Sequence, residues 1–272
     1  GSEITAQVIV KWYPKSMVGG FQKGATIVSG EIRNHWETIG ETIVDGDTLL
    51  VRHLIQGEKK KEAGNKNTKN EWEWDSVAVV TDIKNEGLWD STTMAQVAYV
   101  AKFQHLAKDE MLATGIFASI TLAQGILESD AGRSNLFLLT NNHFCIKCKK
   151  VGKKGCQDWA PREYGYDCKQ WSDDDDCDHF CVYQSDEFAF KAHSVVLLNS
   201  RYSGIFDYPI SDQLYKLDPK WFGVTEVPYY AACAAMLKNG GYATGGNYQY
   251  SVATLIDILQ LWRIDFSVAI RA

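Results

Sequence analysis

Residues 115–134 read Gly115-Ile116-Phe117-Ala118-Ser119-Ile120-Thr121-Leu122-Ala123-Gln124-Gly125-Ile126-Leu127-Glu128-Ser129-Asp130-Ala131-Gly132-Arg133-Ser134. At about 100° per residue, Ile116, Ile120, Ala123 and Leu127 fall on one side, which predicts a helix with an apolar stripe. Glu128 lies roughly 80° from the centre of that stripe, at the edge between core and solvent. Ser129-Asp130-Ala131-Gly132 is suited to stopping the helix and turning the chain. A carboxyl at such a point is half desolvated, which favours its protonated form and suits it to act as a general acid. On position alone, Glu128 reads more simply as a surface residue at a helix end.

Upstream, Asp90-Ser91-Thr92-Thr93 forms an N-cap cluster, after which Val97, Val100, Phe103 and Ala107 recur at helical spacing. Downstream come irregular loops to about Val182, then helices expected over 186–199, 229–238 and 248–262. From Ile4 to about Ile83 the apolar residues come in β-branched runs at 6–10, 25–28, 48–51 and 76–80, separated by turn residues. Residues 57–70 contain no apolar residue except Ala63 and read as a solvated loop. The expected organisation is α+β: a small all-β accessory domain over 1–88, then a mainly α domain over 89–272.

At 272 residues the chain makes one large domain or two small ones, at about 150 residues per domain. Its 45% hydrophobic and 23% charged residues exclude disordered, collagen-like and coiled-coil classes. The net charge of −6 gives no electrostatic reason for a nucleic-acid or anionic-membrane partner. No run approaches the ~18–20 apolar residues of a membrane span. The opening Gly1-Ser2 reads as a cloning remnant, so localisation is argued from elsewhere.

The stretch from Ala98 to Ser134 resembles the start of the glucosaminidase domain of family 73 glycoside hydrolases. Similar segments follow in the family's order: Asn141-Asn142-His143-Phe144 with Ile146-Lys147-Cys148, then Phe180 with Val182-Tyr183 and Ser185. His193-Ser194 before Arg201-Tyr202, and Gly241-Tyr242-Ala243-Thr244 with Tyr248, complete the set. The resemblance implies a lysozyme-like, mainly α fold with a β-containing lobe facing the helices across a cleft. It also implies hydrolysis of the β-1,4 bond after N-acetylglucosamine in peptidoglycan. On the matching positions, Glu128 is the acid, and Tyr242 and Tyr248 line the substrate cleft, with Asn142 and Phe144 also on the substrate side. A flat tyrosine ring stacks on a sugar face while its hydroxyl bonds a sugar oxygen. Trp159 and Trp171 are further candidates for sugar-binding surface. His143 reads as holding the loop, and Glu187 as a favourable charge at a helix N-terminus.

An inverting mechanism needs a second carboxylate roughly 6.5–9.5 Å from the first. Glu163 and the run Asp173-Asp174-Asp175-Asp176 with Asp178 are the candidates, with Asp174 and Asp175 favoured by similarity to relatives. Such a run is ordinarily a solvated loop or a cation site. Alternatively the substrate's own 2-acetamido group attacks the anomeric carbon and no protein base is needed.

Six of the seven cysteines, Cys145, Cys148, Cys156, Cys168, Cys177 and Cys181, fall in this lobe. Zinc binding by Cys145 and Cys148 with His143 or His179 is one reading. Three disulfides are the other, favoured by the later spacings of 8, 12, 9 and 4, which follow no common zinc pattern. An enzyme acting on the cell wall also works where thiols are oxidised. Six cysteines allow fifteen connectivities, and the spacing does not choose among them. Cys145 stands where relatives usually have glycine. Cys233 reads as a small buried thiol.

The expectations are therefore a secreted or periplasmic peptidoglycan hydrolase that needs no cofactor or metal. Glycan strands are its substrate, and an immunity protein or delivery apparatus its partner if it serves as an antibacterial effector. A muramidase, a lytic transglycosylase and a catalytically altered wall-binding or structural module of a phage or secretion apparatus are the alternatives on the same fold.

Overall fold

A computed structural model of the chain describes the backbone of Ala6–Gln7, Asn34–Val44 and Asp47–Gln56, and side chains as well over 72–152, 158–172, 177–243 and 245–269. The solvated stretch expected over 57–70 and the strand run at 25–28 lie outside the described residues. The chain divides into two compact units, Gly1–Met94 with Gly204–Ala272, and Ala95–Ser203.

In the first unit, strands β1 (Ala6–Gln7), β2 (Asn34–Val44) and β3 (Asp47–Gln56) form an antiparallel sheet in the order β1-β3-β2. The β2–β3 register runs from Asn34↔Gln56 to Val44↔Asp47, with a shift between Thr38 and Gly40. Helix α1 (Ser76–Asn85) follows, where a β-branched strand was expected. Asp75 caps it by accepting from the Val77 and Ala78 amides at 2.9 and 3.4 Å. Val79 and Ile83, four apart, form its buried side, whereas Val77 is 73% exposed. Burial at period 3.6 overrides the strand preference of Val-Ala-Val-Val. The all-β domain expected to 88 is therefore not supported, because its last run is helical and packs with the C-terminal helices. Trp74 Nε1 donates to the Leu259 carbonyl at 2.7 Å, and Gln260 Nε2 donates to Asp82 Oδ2 at 2.6 Å.

The rest of this unit is a short hairpin, β8 (Tyr215–Lys216) with β9 (Glu226–Val227), and three helices. In α6 (Tyr229–Asn239) every residue from Tyr229 to Ala235 is buried, including the free thiol Cys233 expected there. The single helix expected over 248–262 is two, α7 (Tyr248–Ile258) and α8 (Trp262–Ala269). The break sits at Gln260, whose φ is +52°. Two interior carboxylates bind tyrosine hydroxyls, Asp265 with Tyr229 at 2.7 Å and Asp257 with Tyr230 at 3.3 Å.

The second unit contains most of α2 (Ser91–Thr114), then α3 (Ala118–Ser129), α4 (Asn135–Thr140), four short strands and α5 (Asp186–Leu197). Asp90 begins α2, as expected, by accepting from the Thr92 and Thr93 amides, both at 2.8 Å. Val97, Val100, Phe103, Ala107 and Met111 form its buried face. Strands β4 (Lys149–Lys150) and β5 (Trp159–Ala160) pair antiparallel, as do β6 (Asp167–Gln170) and β7 (His179–Val182). An isolated bridge between Lys147 and Phe180 ties the segment before β4 to β7. A 3-10 helix spans Ser200–Asp207. The architecture is thus mixed helix and sheet, with helices dominant, and among the described residues no helix is long and apolar enough to cross a membrane.

The assignment of α1 is checked by two truncations in urea unfolding. Ile83→Ala is expected to cost about 2–4 kcal/mol, and Val77→Ala less than about 0.5 kcal/mol. Equal losses would contradict the helical register.

Candidate active site

Ten of the twelve residues of α3 are buried, so the helix runs through the interior and not beside it. Leu127 and Glu128 are the exceptions. The apolar stripe understated this burial: Ser119, Thr121 and Gln124 are interior as well, while Leu127, placed on the stripe, is 36% exposed. Gln124 Oε1 accepts from His193 Nε2 at 2.9 Å, and the His193 ring stacks on Phe144 at 4.0 Å. Complete burial pulls the His193 pKa down to about 3, so this ring is neutral in the folded protein.

Glu128 stands half-buried in the last turn of α3. Behind it the chain passes through three successive residues at positive φ, Asp130 (+52°), Ala131 (+53°) and Gly132 (+77°). For a residue with a Cβ, such as Ala131, that conformation costs roughly 1–2 kcal/mol and persists only where its surroundings dictate it. Ser129 supplies much of that constraint. Its hydroxyl donates to the Gly125 carbonyl at 2.5 Å and accepts from the Gly132 amide at 2.8 Å. Its own carbonyl accepts from the Arg133 and Ser134 amides at 3.1 and 3.0 Å.

A polar group inside an aromatic cluster lies against this turn. His143 is fully buried, with the rings of Phe103, Phe137, Phe144 and Phe190 at 4.6–5.8 Å. Its Nε2 meets Asp186 Oδ1 at 2.9 Å and its Nδ1 meets the Tyr99 hydroxyl at 2.7 Å. The hydrogen bond from His143 holds the Asp186 carboxyl below its ordinary pKa, so Asp186 is an acceptor and Nε2 carries the proton. Burial lowers the His143 pKa more than Asp186 raises it, so the ring is neutral and Nδ1 accepts the Tyr99 proton. Burial in turn holds the Tyr99 hydroxyl far above its ordinary pKa, and Ser129 is the other polar side chain beside this hydroxyl. His143 thus holds its loop, as read from sequence. Tyr99 and Asp186 were missed, although a tyrosine between Val97 and Val100 places a polar tip beside the buried face of α2.

The β-containing lobe is held by Asn142 and by sulfur. Asn142 Nδ2 donates to the carbonyls of Ile146 (3.0 Å) and Cys181 (2.9 Å), and its Oδ1 accepts from the amides of Phe144 (3.3 Å) and Ile146 (3.0 Å). With both ends of the amide engaged in the interior, Asn142 is a loop staple. Phe144, also buried, packs on His193 and Phe190. Both side chains are buried, whereas the sequence reading places them on the substrate side.

Three disulfides over the six clustered cysteines are also corrected. Cys148 is bonded to Cys168, Cys177 is disulfide-bonded, and Cys145 and Cys181 stand outside any disulfide. Cys156 lies outside the described residues. The Cys181 sulfur is 3.6 Å from that of Cys148, but Cys168 has taken the bond. The half-buried Cys145, at φ +49°, points its thiol at the Glu128 carbonyl, 3.1 Å away. The zinc reading fails on the same facts. Cys148 is spent in a disulfide, and both ring nitrogens of His143 are taken by Tyr99 and Asp186.

Of the second-carboxylate candidates, Asp174 and Asp175 lie outside the described residues, and Glu163 is exposed ahead of β6. Asp178 is paired with Lys147 at 2.7 Å. In the other unit, the rings of Tyr242 and Tyr248 stack at 5.7 Å and 23°, both half-buried. Lys238 Nζ fixes the loop between them by donating to the carbonyls of Ala243 (3.1 Å) and Gly245 (2.6 Å).

Residues 104–261, more than half of the chain, match the family model described as glucosaminidase, mannosyl-glycoprotein endo-beta-N-acetylglucosaminidase. No curated protein matches the chain. Among solved structures, the chain is similar to the catalytic domain of the autolysin Auto from Listeria monocytogenes at 21% identity and a TM-score of 0.42, covering 68% of this chain and 96% of that one. A peptidoglycan hydrolase from Sphingomonas sp. A1 is similar at 22% identity and 0.40, over 64% and 96%. A type VI secretion system effector–immunity complex from Pseudomonas protegens gives 14% and 0.42, over 61% and 92%.

Two measurements check this site. In the folded protein a thiol reagent is expected to label Cys145 and to reach Cys181 and Cys233 only on unfolding, and peptide mapping is expected to recover Cys148 joined to Cys168. Recovery of Cys145 in a disulfide would contradict the assignment. Acidification is expected to destabilise the fold below about pH 6.5, where the unfolded chain takes up protons that buried His143 and His193 refuse. Each contributes at most about 1.4 kcal/mol per pH unit. Asp186, held low, loses its contribution only near and below its ordinary 3.8. Thermal melts from pH 7.5 to 5 should therefore fall, and His193→Asn should flatten the slope; a wild-type slope of zero would contradict the buried neutral rings.

Proposed function

The chain belongs to the glucosaminidase family of glycoside hydrolases, and from that premise we propose that it cleaves the β-1,4 bond after N-acetylglucosamine in peptidoglycan, with Glu128 as general acid. The observation that carries this reading is the setting of Glu128, half-buried at the end of an otherwise interior helix and followed at once by a constrained turn. Protonating a glycosidic oxygen needs a carboxylic acid held at the edge of the protein's interior, within hydrogen-bond reach of a bound glycan.

The second carboxylate, Glu163, Asp174 or Asp175, activates a water on the opposite face of the sugar. If none does, the substrate's 2-acetamido group takes that part and Glu128 alone carries the protein's acid–base work. Tyr242 and Tyr248 offer a half-buried stacked pair of rings to a sugar face. The lysozyme-like layout and the accessory role read for residues 1–88, in wall binding or docking, belong to this proposal too. So does action on the wall-facing side of the membrane, secreted or periplasmic, which the disulfides support. An antibacterial role guarded by an immunity protein is its finest part: expression directed to a bacterial periplasm is then toxic, and the same chain kept in the cytoplasm is not.

Muropeptide analysis after digestion tests the bond. Reducing ends at N-acetylglucosamine are expected; ends at muramic acid or anhydro-muramic acid would make the enzyme a muramidase or a lytic transglycosylase instead. Glu128→Gln is expected to lose about 10²–10⁴-fold in turnover, and full activity there would overturn the assignment of the acid. Among Glu163→Gln, Asp174→Asn and Asp175→Asn, a comparable loss in one identifies the base, and a loss in none points to the acetamido route.

A further inference from the structure

The Tyr99 side chain touches both arms of the turn that carries Glu128. On the helical arm its hydroxyl lies so close to Gly125, three residues before Glu128, that a Cβ there would collide with it. On the outgoing arm its ring lies beside Gly132, four residues after Glu128, with 3.4 Å to the position a Cβ would take. Between the arms the same hydroxyl lies against Ser129, which itself ties Gly125 to Gly132. A hydroxyl is a free rotor unless its acceptor is fixed, and here the acceptor is fixed twice over. Asp186 takes the Nε2 proton of His143, which leaves Nδ1 only the role of accepting from Tyr99.

We propose that Tyr99, oriented through His143 by Asp186, is a positioning residue for Glu128, holding the left-handed turn at 130–132 so that the carboxyl keeps a single direction. The inference rests on the reading of Glu128 as the acid. It assigns a part in turnover to the buried Tyr99 and His143 and the half-buried Asp186, and does so through a chain of contacts: Asp186 to His143, His143 to Tyr99, and Tyr99 to Gly125, Ser129 and Gly132. Catalytic groups displaced by even a fraction of an ångström lose rate while binding is kept, because alignment matters most in the transition state. The effect therefore belongs in kcat and not in KM.

The test compares Tyr99→Phe, Asp186→Asn and the double variant with Leu197→Ala, which removes a buried side chain of α5 outside this network. All are assayed on solubilised peptidoglycan at a temperature where thermal melts show each to be folded. Tyr99→Phe keeps the ring and removes only the hydroxyl. It is expected to lower kcat about tenfold with KM within about twofold, and the double variant to be no slower than the worse single one, since the groups act as one unit. Leu197→Ala, comparably destabilised, should keep wild-type kcat. If Tyr99→Phe and Asp186→Asn lose melting temperature but retain wild-type kcat, the network only holds the core and the proposal is wrong. An equal fall of kcat in Leu197→Ala would overturn it as well. Glu128→Gln run alongside separates the two claims. Full activity there removes the acid assignment, whereas loss there with unchanged Tyr99→Phe turnover removes the positioning role alone.

Discussion

Three consecutive residues at positive φ directly behind Glu128 are the constraint on which the rest of this site depends. Left-handed backbone at Ala131 is unfavourable on its own, so the surrounding structure has to dictate it. Here it does so from inside: Ser129 caps the turn, Tyr99 fills the space against Gly125 and Gly132, and His143 with Asp186 sets the direction of the Tyr99 hydroxyl. The aromatic rings around His143 serve the same end, because they exclude water that would otherwise compete for both ring nitrogens. A neutral imidazole there costs little at neutral pH, and the cost appears only when acid offers it a second proton.

The lobe after α4 solves a different problem. Its strands are two to four residues long, too short to define a sheet by themselves. Asn142 replaces missing ladder bonds by joining the carbonyls of Ile146 and Cys181, and Cys148–Cys168 ties the segment before β5 covalently to β6. In chain order the run Asp173 to Asp176 falls between β6 and β7, the two strands that the disulfide and the Asn142 amide hold.

Much of this was legible in the chain itself. The periodicity around Ile120 and Ala123 places α3 correctly, Asp90 marks the start of α2, and the alanine-rich run around Cys233 is a buried helix with a free thiol, as read. The failures have physical reasons. Val-Ala-Val-Val reads as strand because β-branched residues favour it, yet the Asp75 cap and the pairing of Val79 with Ile83 make it helix. Nothing in Leu259-Gln260-Leu261 announces the break between α7 and α8, since neither glycine nor proline is present. Resemblance gives residue types but not the burial of side chains, so the interior setting of Asn142 and Phe144 was not legible. Cysteine spacing gives no pairing, and only the fold separates the bonded Cys148 and Cys168 from Cys145 and Cys181, which form no disulfide.

A buried helix, a constrained turn and a half-buried carboxyl make one claim together: residue 128 is where a glycan is protonated. A crystal structure of Glu128→Gln with a bound N-acetylglucosamine-containing glycan oligomer measures this directly. The account predicts the side-chain amide of residue 128 within about 2.6–3.2 Å of a bridging glycosidic oxygen, with the turn at 130–132 unchanged. A glycan bound with its bridging oxygens against a different carboxyl, and residue 128 outside hydrogen-bond reach of all of them, would contradict it.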